Sequence, residues 1–153
     1  MSSTDGDRHP AASAPTHLHP PGWPRPAGYA YGMAATGRLI VVAGMIGWDA
    51  QHRLVGADLV AQTRQALANI VAVLAEAGAR PADVVRLTWY VVDRSEYLAS
   101  QQPLGAVYRE IMGRHYPAMT VVEVSALLEP NARVEIEATA VAAERAKGRE
   151  AGD

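Results

Sequence analysis

The sequence has no cysteine and no phenylalanine among its 153 residues. Without cysteine the chain can form no disulfide, thiolate nucleophile or sulfur-ligated zinc site, and it suits the reducing cytoplasm, where we expect the protein to be. An excess of basic residues is also lacking, since 16 acidic and 14 basic residues give a formal net charge of −2. Nucleic acid is therefore not an expected partner. The longest apolar run, 39–48, is about half the length of a membrane-spanning helix, so we expect no membrane segment.

Hydrophobic residues make up 49% of the sequence, which is enough for one buried core, and they are unevenly distributed. Six of the ten prolines and three of the five histidines lie in residues 1–28, where apolar residues are sparse. We predict a polyproline-like or disordered arm there, without the apolar segment of a secretion signal. Residues 144–153 are predicted to form a charged tail. The folded domain is therefore expected over residues 29–143.

Strand and helix patterns alternate through this domain. Short β-branched runs predict strands at 38–42, 84–92, 120–124 and 133–141, with 45–48 continuing the first beyond a bend at Gly44. Leu59, Thr63, Leu67, Ile70 and Leu74 share one helical face, so a helix is predicted from Asp58 to Gly78. A second helix is predicted from an N-cap at Ser95 to Met112, with Pro103 interrupting it or starting its second part. These elements predict an α+β domain, with two helices on one face of the sheet and other subunits on the other.

Several segments of the domain match a known pattern in order and spacing. They are RLIVVAGMIGWDA (38–50), AQTRQALANIVAVLAEAG (61–78), DVVRLTWYVVD (83–93), YREIMGRHYPAMTVVEVSAL (108–127) and VEIEATAV (134–141). Together they resemble the RidA/YjgF family, also called L-PSP proteins, of small enamine/imine deaminases. The resemblance implies a chorismate-mutase-like fold and a homotrimer with three pockets at its subunit interfaces, with neither a cofactor nor a metal.

Three segments depart from the family pattern. Active members carry Pro-Ala-Arg-Ser, in which the arginine holds the substrate carboxylate, whereas this chain has Met119 in place of that arginine. The family's Ser-Gly-Gln turn is Ala43-Gly44-Met45 here, and the pocket asparagine of the second helix aligns with Gly105 or, in a shifted alignment, is replaced by Gln101. A thioether cannot make the paired charge-assisted hydrogen bonds of a guanidinium, so the usual 2-imino acids should bind badly. Met119 is either the floor of an apolar pocket or a core residue.

One expected catalytic residue remains. Glu135 matches the family acid that orients or activates water, and strand alternation places Glu137 on the same face. The alternative interpretation is a solvated or interface acid paired with an arginine such as Arg133. The pocket tyrosine corresponds to Tyr29 or Tyr31, and the spacing leaves both open.

Trp48 is included among the expected substrate-binding residues, although tryptophans are more often core residues. His17 and His19, together with His9, could hold a metal, but histidines in a proline-rich arm are usually solvated. We therefore expect no metal site.

The resulting hypothesis is a divergent RidA-like hydrolase that acts on a small enamine, imine or related C=N metabolite, neutral or larger and more apolar than a 2-imino acid. The alternatives are a non-catalytic trimeric module that binds a small molecule or a partner, and a tautomerase or cyclase of a specialised pathway. A cation near Met119, such as Arg38 or Arg86, would restore anionic substrates.

Overall fold

The computed structural model describes residues 14–144. The first part of the predicted arm, including His9, and the predicted tail beyond Glu144 lie outside the described residues. The strands are β1 (Thr16–Leu18), β2 (Gly32–Ala34), β3 (Arg38–Met45), β4 (Val84–Val91), β5 (Ala118–Glu123) and β6 (Val134–Ala142). The helices are α1 (Leu59–Glu76), α2 (Arg94–Ala99) and α3 (Gln101–Met112), and a short 3₁₀ turn spans Pro81–Asp83. None of the helices in this part of the chain has the length and apolar character needed to cross a bilayer.

The main sheet has the strand order β3-β6-β4-β5, in which only the β4–β5 pair is parallel. Strand β6 alternates strictly: Val134, Ile136 and Ala138 are buried in the core, whereas Glu135 and Glu137 lie on the opposite face. Helices α1 and α3 bury their apolar residues in the same core cluster as the inward-facing strand residues. The predicted α+β architecture, a mixed sheet with two main helices on one face, is confirmed.

The opposite face of the sheet, which we call the open face, carries no helix among the described residues. Leu39 and Val41 of β3 lie on it and are 64% and 70% exposed. Because large apolar side chains at adjacent outward positions are unusual on an isolated domain, this face is suited to contact with another chain.

Helix α1 has the predicted start and end. Asp58 is its N-cap, and the Asp58 carboxylate accepts a hydrogen bond of 2.9 Å from the backbone N–H of Ala61. Gly78 has a φ of 68°, the left-handed conformation that glycine adopts easily after a helix. All five predicted face residues are buried, and each buried leucine or isoleucine contributes about 1.5–3 kcal/mol of transfer free energy.

The second predicted helix is two helices, and its predicted N-cap was wrong. Asp93, rather than Ser95, caps α2, since its carboxylate accepts from the N–H of Glu96 at 3.0 Å. The chain leaves helical geometry at Ser100, where ψ is 9°, and α3 begins at the next residue. Pro103 lies in the first turn of α3, where its missing N–H has no helical partner to lose.

The described part of the predicted arm contains a strand that the sequence analysis did not predict. Strand β1 pairs with β2 in an antiparallel ribbon, and the ring of Trp23 contacts that of Tyr31 edge to face at 5.0 Å. The N–H of Ala30 donates to the carbonyl of Pro117 at 3.0 Å, which attaches this segment beside β5. Residues 14–28 are thus ordered against the edge of the domain. A three-residue exposed strand has too few residues for a detectable alternation.

Candidate active site

The predicted site residues lie around separate cavities at the two edges of the main sheet. The first, which we call the Glu135 cavity, has a volume of about 300 Å³ and adjoins edge strand β3. Its lining comprises Gly44, Met45, Ile46, Trp48, His52, Asn69, Leu128, Glu129 and Glu135. The second, the α3 cavity, has a volume of about 390 Å³ and adjoins the opposite edge strand, β5. Its lining comprises Ala27, Gly28, Trp89, Tyr97, Gln101, Leu104, Gly105, Tyr108, Arg109, Tyr116 and Met119.

Glu135 lies directly against Gly44. The pairing of β3 with β6 shifts register between Val42 and Met45, so Gly44 falls in a bulge and its backbone meets the glutamate side chain. A Cβ atom at position 44 would overlap Oε1 of Glu135 and would lie 2.9 Å from its Cδ and 3.0 Å from its Cγ. No described residue donates a hydrogen bond to the Glu135 carboxylate. The carboxylate is therefore available to a water or a ligand in the cavity.

The neighbouring acid on the same face is differently placed. Glu137 accepts a hydrogen bond of 2.8 Å from the hydroxyl of Tyr90 and lines a smaller cavity of about 170 Å³ beside Arg86. This hydrogen bond, together with burial, raises the pKa of Tyr90. Glu137 thus accepts a hydrogen bond from Tyr90, whereas Glu135 lines the larger cavity and accepts none from the described residues.

Arg133 does not pair with Glu135. Its guanidinium forms an ion pair with Glu96 of α2, and the Glu96 hydrogen bond raises the pKa of Arg133. Because Arg133 comes just before β6, its side chain is free to turn towards α2 rather than follow the strand alternation. Arg133 is therefore not the partner of Glu135 within this chain.

A histidine that the sequence analysis did not propose lines the same cavity as Glu135. His52 has a φ of 58°, and its ring stacks on that of Trp48 with centroids 4.7 Å apart. The turn is held by Asp49, whose carboxylate accepts from the N–H groups of Gln51 at 2.9 Å and Arg53 at 3.0 Å. These hydrogen bonds, the Arg53 one above all, lower the pKa of Asp49. Nothing in the residue spacing indicates that this turn brings a histidine to the cavity.

Two polar residues of α1 fix the loops around the Glu135 cavity. Asn69 donates from its amide to the carbonyls of Ile46 and Trp48, at 3.1 and 2.9 Å. The side chain of Gln62 is fully buried and donates to the carbonyls of Gly56 and Asn131, at 3.2 and 3.0 Å. Its own oxygen accepts from the N–H of Arg133 at 2.7 Å. The sequence does carry a signal for this role of Gln62, because it lies among the apolar positions of a helix and a buried amide needs hydrogen-bond partners.

The α3 cavity contains the residues predicted around Met119. Both alternatives for the second helix, Gln101 and Gly105, line it, one turn apart on α3. Met119 lines it as well, and also packs against the core cluster, so both of its interpretations apply in part. The indole N–H of Trp89 is buried in the cavity wall without an acceptor among the described residues.

The two arginines considered as replacements for the missing family arginine do not line the α3 cavity. Arg38 donates to the carbonyl of Ala77 behind β3, and Arg86 lies on the open face beside Glu137. The arginine that does line the α3 cavity is Arg109, which the sequence analysis did not consider.

The two candidate tyrosines lie around a third cavity, of about 600 Å³, formed by the β1–β2 segment. Tyr29 and Tyr31 both line it, with ring centroids 5.8 Å apart, and Tyr31 donates to the carbonyl of Pro24 at 3.0 Å. Gly28 and Tyr116 line this cavity and the α3 cavity alike, so the two are neighbours.

Two further predictions concern Ala43 and a metal site. Ala43 is exposed in the bulge of β3 and lines neither the Glu135 cavity nor the α3 cavity. His17 and His19 line the tyrosine cavity, and residues 14–144 contain no group of three side chains suited to hold a metal ion.

The sheet order, the two covering helices and the two edge cavities define a class of small α+β proteins with solved relatives. A sequence profile described as Endoribonuclease L-PSP matches residues 24–142. A solved structure of a Rid family protein of unknown function, YyfB from Yersinia pestis, has a TM-score of 0.76 and 37% identity, covering 85% of this chain and 100% of that one.

Curated sequences give the same assignment. A RutC family protein of Haemophilus influenzae is 36% identical over 105 residues, which is 69% of this chain and 80% of that protein. The 2-iminobutanoate/2-iminopropanoate deaminase of Escherichia coli K12 is 34% identical over 108 residues, again 69% of this chain and 80% of that protein. The chain belongs to the L-PSP family, also known as the RidA/YjgF family.

Proposed function

We propose that the protein hydrolyses the C=N bond of a small imine or enamine, with Glu135 as the general base. The observation that carries this proposal is the Glu135 carboxylate, which accepts no hydrogen bond from residues 14–144 and lies against Gly44 in a cavity large enough for a small substrate. Glu135 takes a proton from water as the water oxygen adds to the imine carbon, and this proton is passed to the imine nitrogen, which gives a carbinolamine. The carbinolamine then collapses to a carbonyl compound, and the nitrogen leaves as ammonia. The E. coli relative is named as a deaminase of two such imines, which supports this reaction class.

The proposal includes a cyclic homotrimer with its active sites shared between subunits. The Glu135 cavity and the α3 cavity lie at opposite edges of one sheet, so a single chain cannot apply both to one small substrate. When one copy places its β3 edge against the β5 edge of the next, the two cavities meet, and such head-to-tail contacts form rings when the rotation closes. The exposed Leu39 and Val41 would then be buried inside the ring.

The substrate is proposed to be larger and more apolar than the usual 2-imino acids. Met45 and Met119 replace an amide and a guanidinium of the family pattern, and both line the cavities. Their thioethers favour apolar groups and adapt to irregular shapes. We place this reaction in the cytoplasm, with a small molecule and other copies of the chain as the partners, and without nucleic acid or membrane.

The proposal is tested with imines made in place by an amino acid oxidase, with semicarbazide competing for them. Alanine supplies 2-iminopropionate, and leucine and methionine supply larger imines. We expect the protein to suppress semicarbazone formation from the larger imines and to act weakly on 2-iminopropionate. Glu135→Gln should lose this activity by about 10²-fold or more, as expected for a general base, whereas Glu137→Gln should keep it. Activity within a few-fold of the parent in Glu135→Gln would refute the base, and rapid turnover of 2-iminopropionate would refute the changed substrate.

A second candidate function is a binding module that shields a small molecule without converting it. The observation that favours it is the loss of polar groups at Ala43, Met45 and Met119, which leaves Glu135 as the one matched acid of the family pattern. This candidate predicts that ligands bind but that no imine is consumed by the parent protein, and that Glu135→Gln changes neither result. A tautomerase or cyclase would instead consume its substrate without releasing ammonia.

A further inference from the structure

We propose that Arg109 is the anion-binding residue of the α3 cavity and holds the carboxylate of the substrate in place of the arginine that Met119 replaces. The inference rests on the proposed function only in taking the substrate to be an imine. The binding of an anion by Arg109 does not depend on that function. It makes the substrate a larger, apolar imine or enamine that still carries a carboxylate.

The charge of the cavity supports this assignment. Among the described residues that line the α3 cavity, Arg109 alone carries a formal charge, and none is acidic. The hydroxyls of Tyr97 and Tyr116 and the amide of Gln101 are among the neutral polar groups of the lining. The hydroxyl of Tyr108 is already committed, since it donates to the carbonyl of His115 at 2.6 Å. A ligand that enters the cavity therefore meets one cation and no competing carboxylate.

The position of the guanidinium depends on Gly105. Residues 105 and 109 are one helical turn apart and share a face of α3. A Cβ atom at position 105 would lie 3.3 Å from Nη1 of Arg109, so the guanidinium occupies space that a larger side chain would take. The family asparagine at this position would crowd the guanidinium. Glycine at position 105 therefore leaves the observed position of the guanidinium unobstructed.

Arg109 is also free to bind an external anion. The nearest acid in sequence, Glu110, forms an ion pair with Arg64 of α1. Neither an ion pair nor a side-chain hydrogen bond to a described residue engages the Arg109 guanidinium. A guanidinium in this state can bind a carboxylate through two parallel N–H···O hydrogen bonds, which a thioether cannot do.

The carboxylate-binding arginine would stand on helix α3 instead of strand β5, and this change of position alters the preferred substrate. The carboxylate would bind at α3 beside Gly105, rather than at β5 where Met119 stands. Met119 then leaves an apolar surface for the side chain of the substrate. In the proposed ring, the neighbouring copy supplies Glu135. Arg109 then holds one end of the substrate by the substrate's carboxylate, and Glu135 lies at the other end.

The test is a binding titration with 2-oxo acids, the carbonyl products of the proposed reaction, followed by calorimetry or by NMR of the protein. The probes are pyruvate, 4-methyl-2-oxopentanoate and the uncharged amide of the latter. We expect 4-methyl-2-oxopentanoate to bind more tightly than pyruvate or the amide. Arg109→Met should weaken its binding about 10-fold to 10²-fold, the usual range for a charged hydrogen-bonded contact, and should leave the amide unaffected.

Matched variants separate binding from folding. Arg109→Lys keeps the charge and should recover part of the affinity, whereas Arg114→Met removes an exposed arginine outside the cavity and should change nothing. Gly105→Asn should weaken carboxylate binding by crowding the guanidinium. The inference is overturned if the parent binds no 2-oxo acid, if Arg109→Met binds it as the parent does, or if the amide loses affinity equally.

These outcomes are independent of turnover. If Arg109→Met loses carboxylate binding while the parent consumes no imine, the anion site stands and the proposed reaction fails. If Glu135→Gln abolishes imine hydrolysis while Arg109→Met binds and reacts as the parent does, the reaction stands and the anion site fails.

Discussion

The close contact between Gly44 and Glu135 gives a sharp prediction for Gly44→Ala. The φ of Gly44 lies outside the left-handed region, so alanine fits the backbone. The added Cβ would lie 2.9 Å from Cδ of Glu135, whereas carbon atoms normally approach to 3.5–4.0 Å. The carboxylate must therefore move by about 1 Å, and a displacement of this size in a catalytic group reduces the rate by about 10²-fold.

The stability of the same variant should change little. Alanine restricts the unfolded chain, which stabilises the fold by about 0.4–1 kcal/mol, and a displaced glutamate rotamer costs about 0.5–1.5 kcal/mol. We expect the free energy of unfolding, measured by urea denaturation, to stay within about 1 kcal/mol of the parent, because these two effects oppose each other.

Gly47→Ala is the matched control for the displacement of Glu135 in Gly44→Ala. A Cβ atom at position 47 would lie 2.8 Å from the Cα of Gln62, and backbone cannot retreat as a side chain can. This variant should lose stability by about 1–3 kcal/mol, as overpacking does, without touching Glu135. The reasoning is refuted if Gly44→Ala keeps its kcat for imine hydrolysis within about three-fold of the parent, well short of the loss expected from a misplaced base.

Three other predictions concern the groups around the site. Gln62→Leu removes three part-buried hydrogen bonds and should lower the free energy of unfolding in urea by about 2–4 kcal/mol, at about 1 kcal/mol for each bond; a change below about 0.5 kcal/mol would contradict this role. Asp49→Ala should lower the protection factors of the amides of Gln51 and Arg53 against hydrogen exchange. In the parent, the same protection factors, corrected for the intrinsic pH dependence of exchange, should fall as pH drops through the lowered pKa of Asp49, and unchanged protection would count against the turn contacts. Burial raises the pKa of Tyr108 above the ordinary 10.0, so stability should fall as pH rises above that value, and Tyr108→Phe should remove this part of the fall.

Much of the fold was predictable because its signals are local. The apolar face of α1, its cap at Asp58 and the alternation of β6 all follow from spacings within single segments. The N-cap of α2 was misassigned because Asp93 and Ser95 are both good capping residues, and only the backbone geometry decides between them. The β1–β2 pair depends on contacts between segments about fifteen residues apart, which alternation in three residues cannot reveal.

The candidate site was predictable in part. Glu135 and Glu137 are equivalent in strand alternation, and the structure distinguishes them because the Tyr90 hydroxyl donates its hydrogen bond to Glu137. Arg109 could not be found by matching the family motif, since it stands on a different element from the residue it would replace. His52 reaches its cavity through a left-handed turn, whose effect on direction is not visible in residue spacing.

The central feature of the proposed function is an active site shared between two copies of the chain. Glu135→Gln removes the proposed base from one edge, and Gly105→Phe fills the α3 cavity at the other edge. Each variant alone should be inactive in imine hydrolysis. Co-expressed with different tags and purified through both, mixed trimers should contain one intact site each and show about one third of the parent turnover. Mixed trimers as inactive as the two single variants would contradict the shared site.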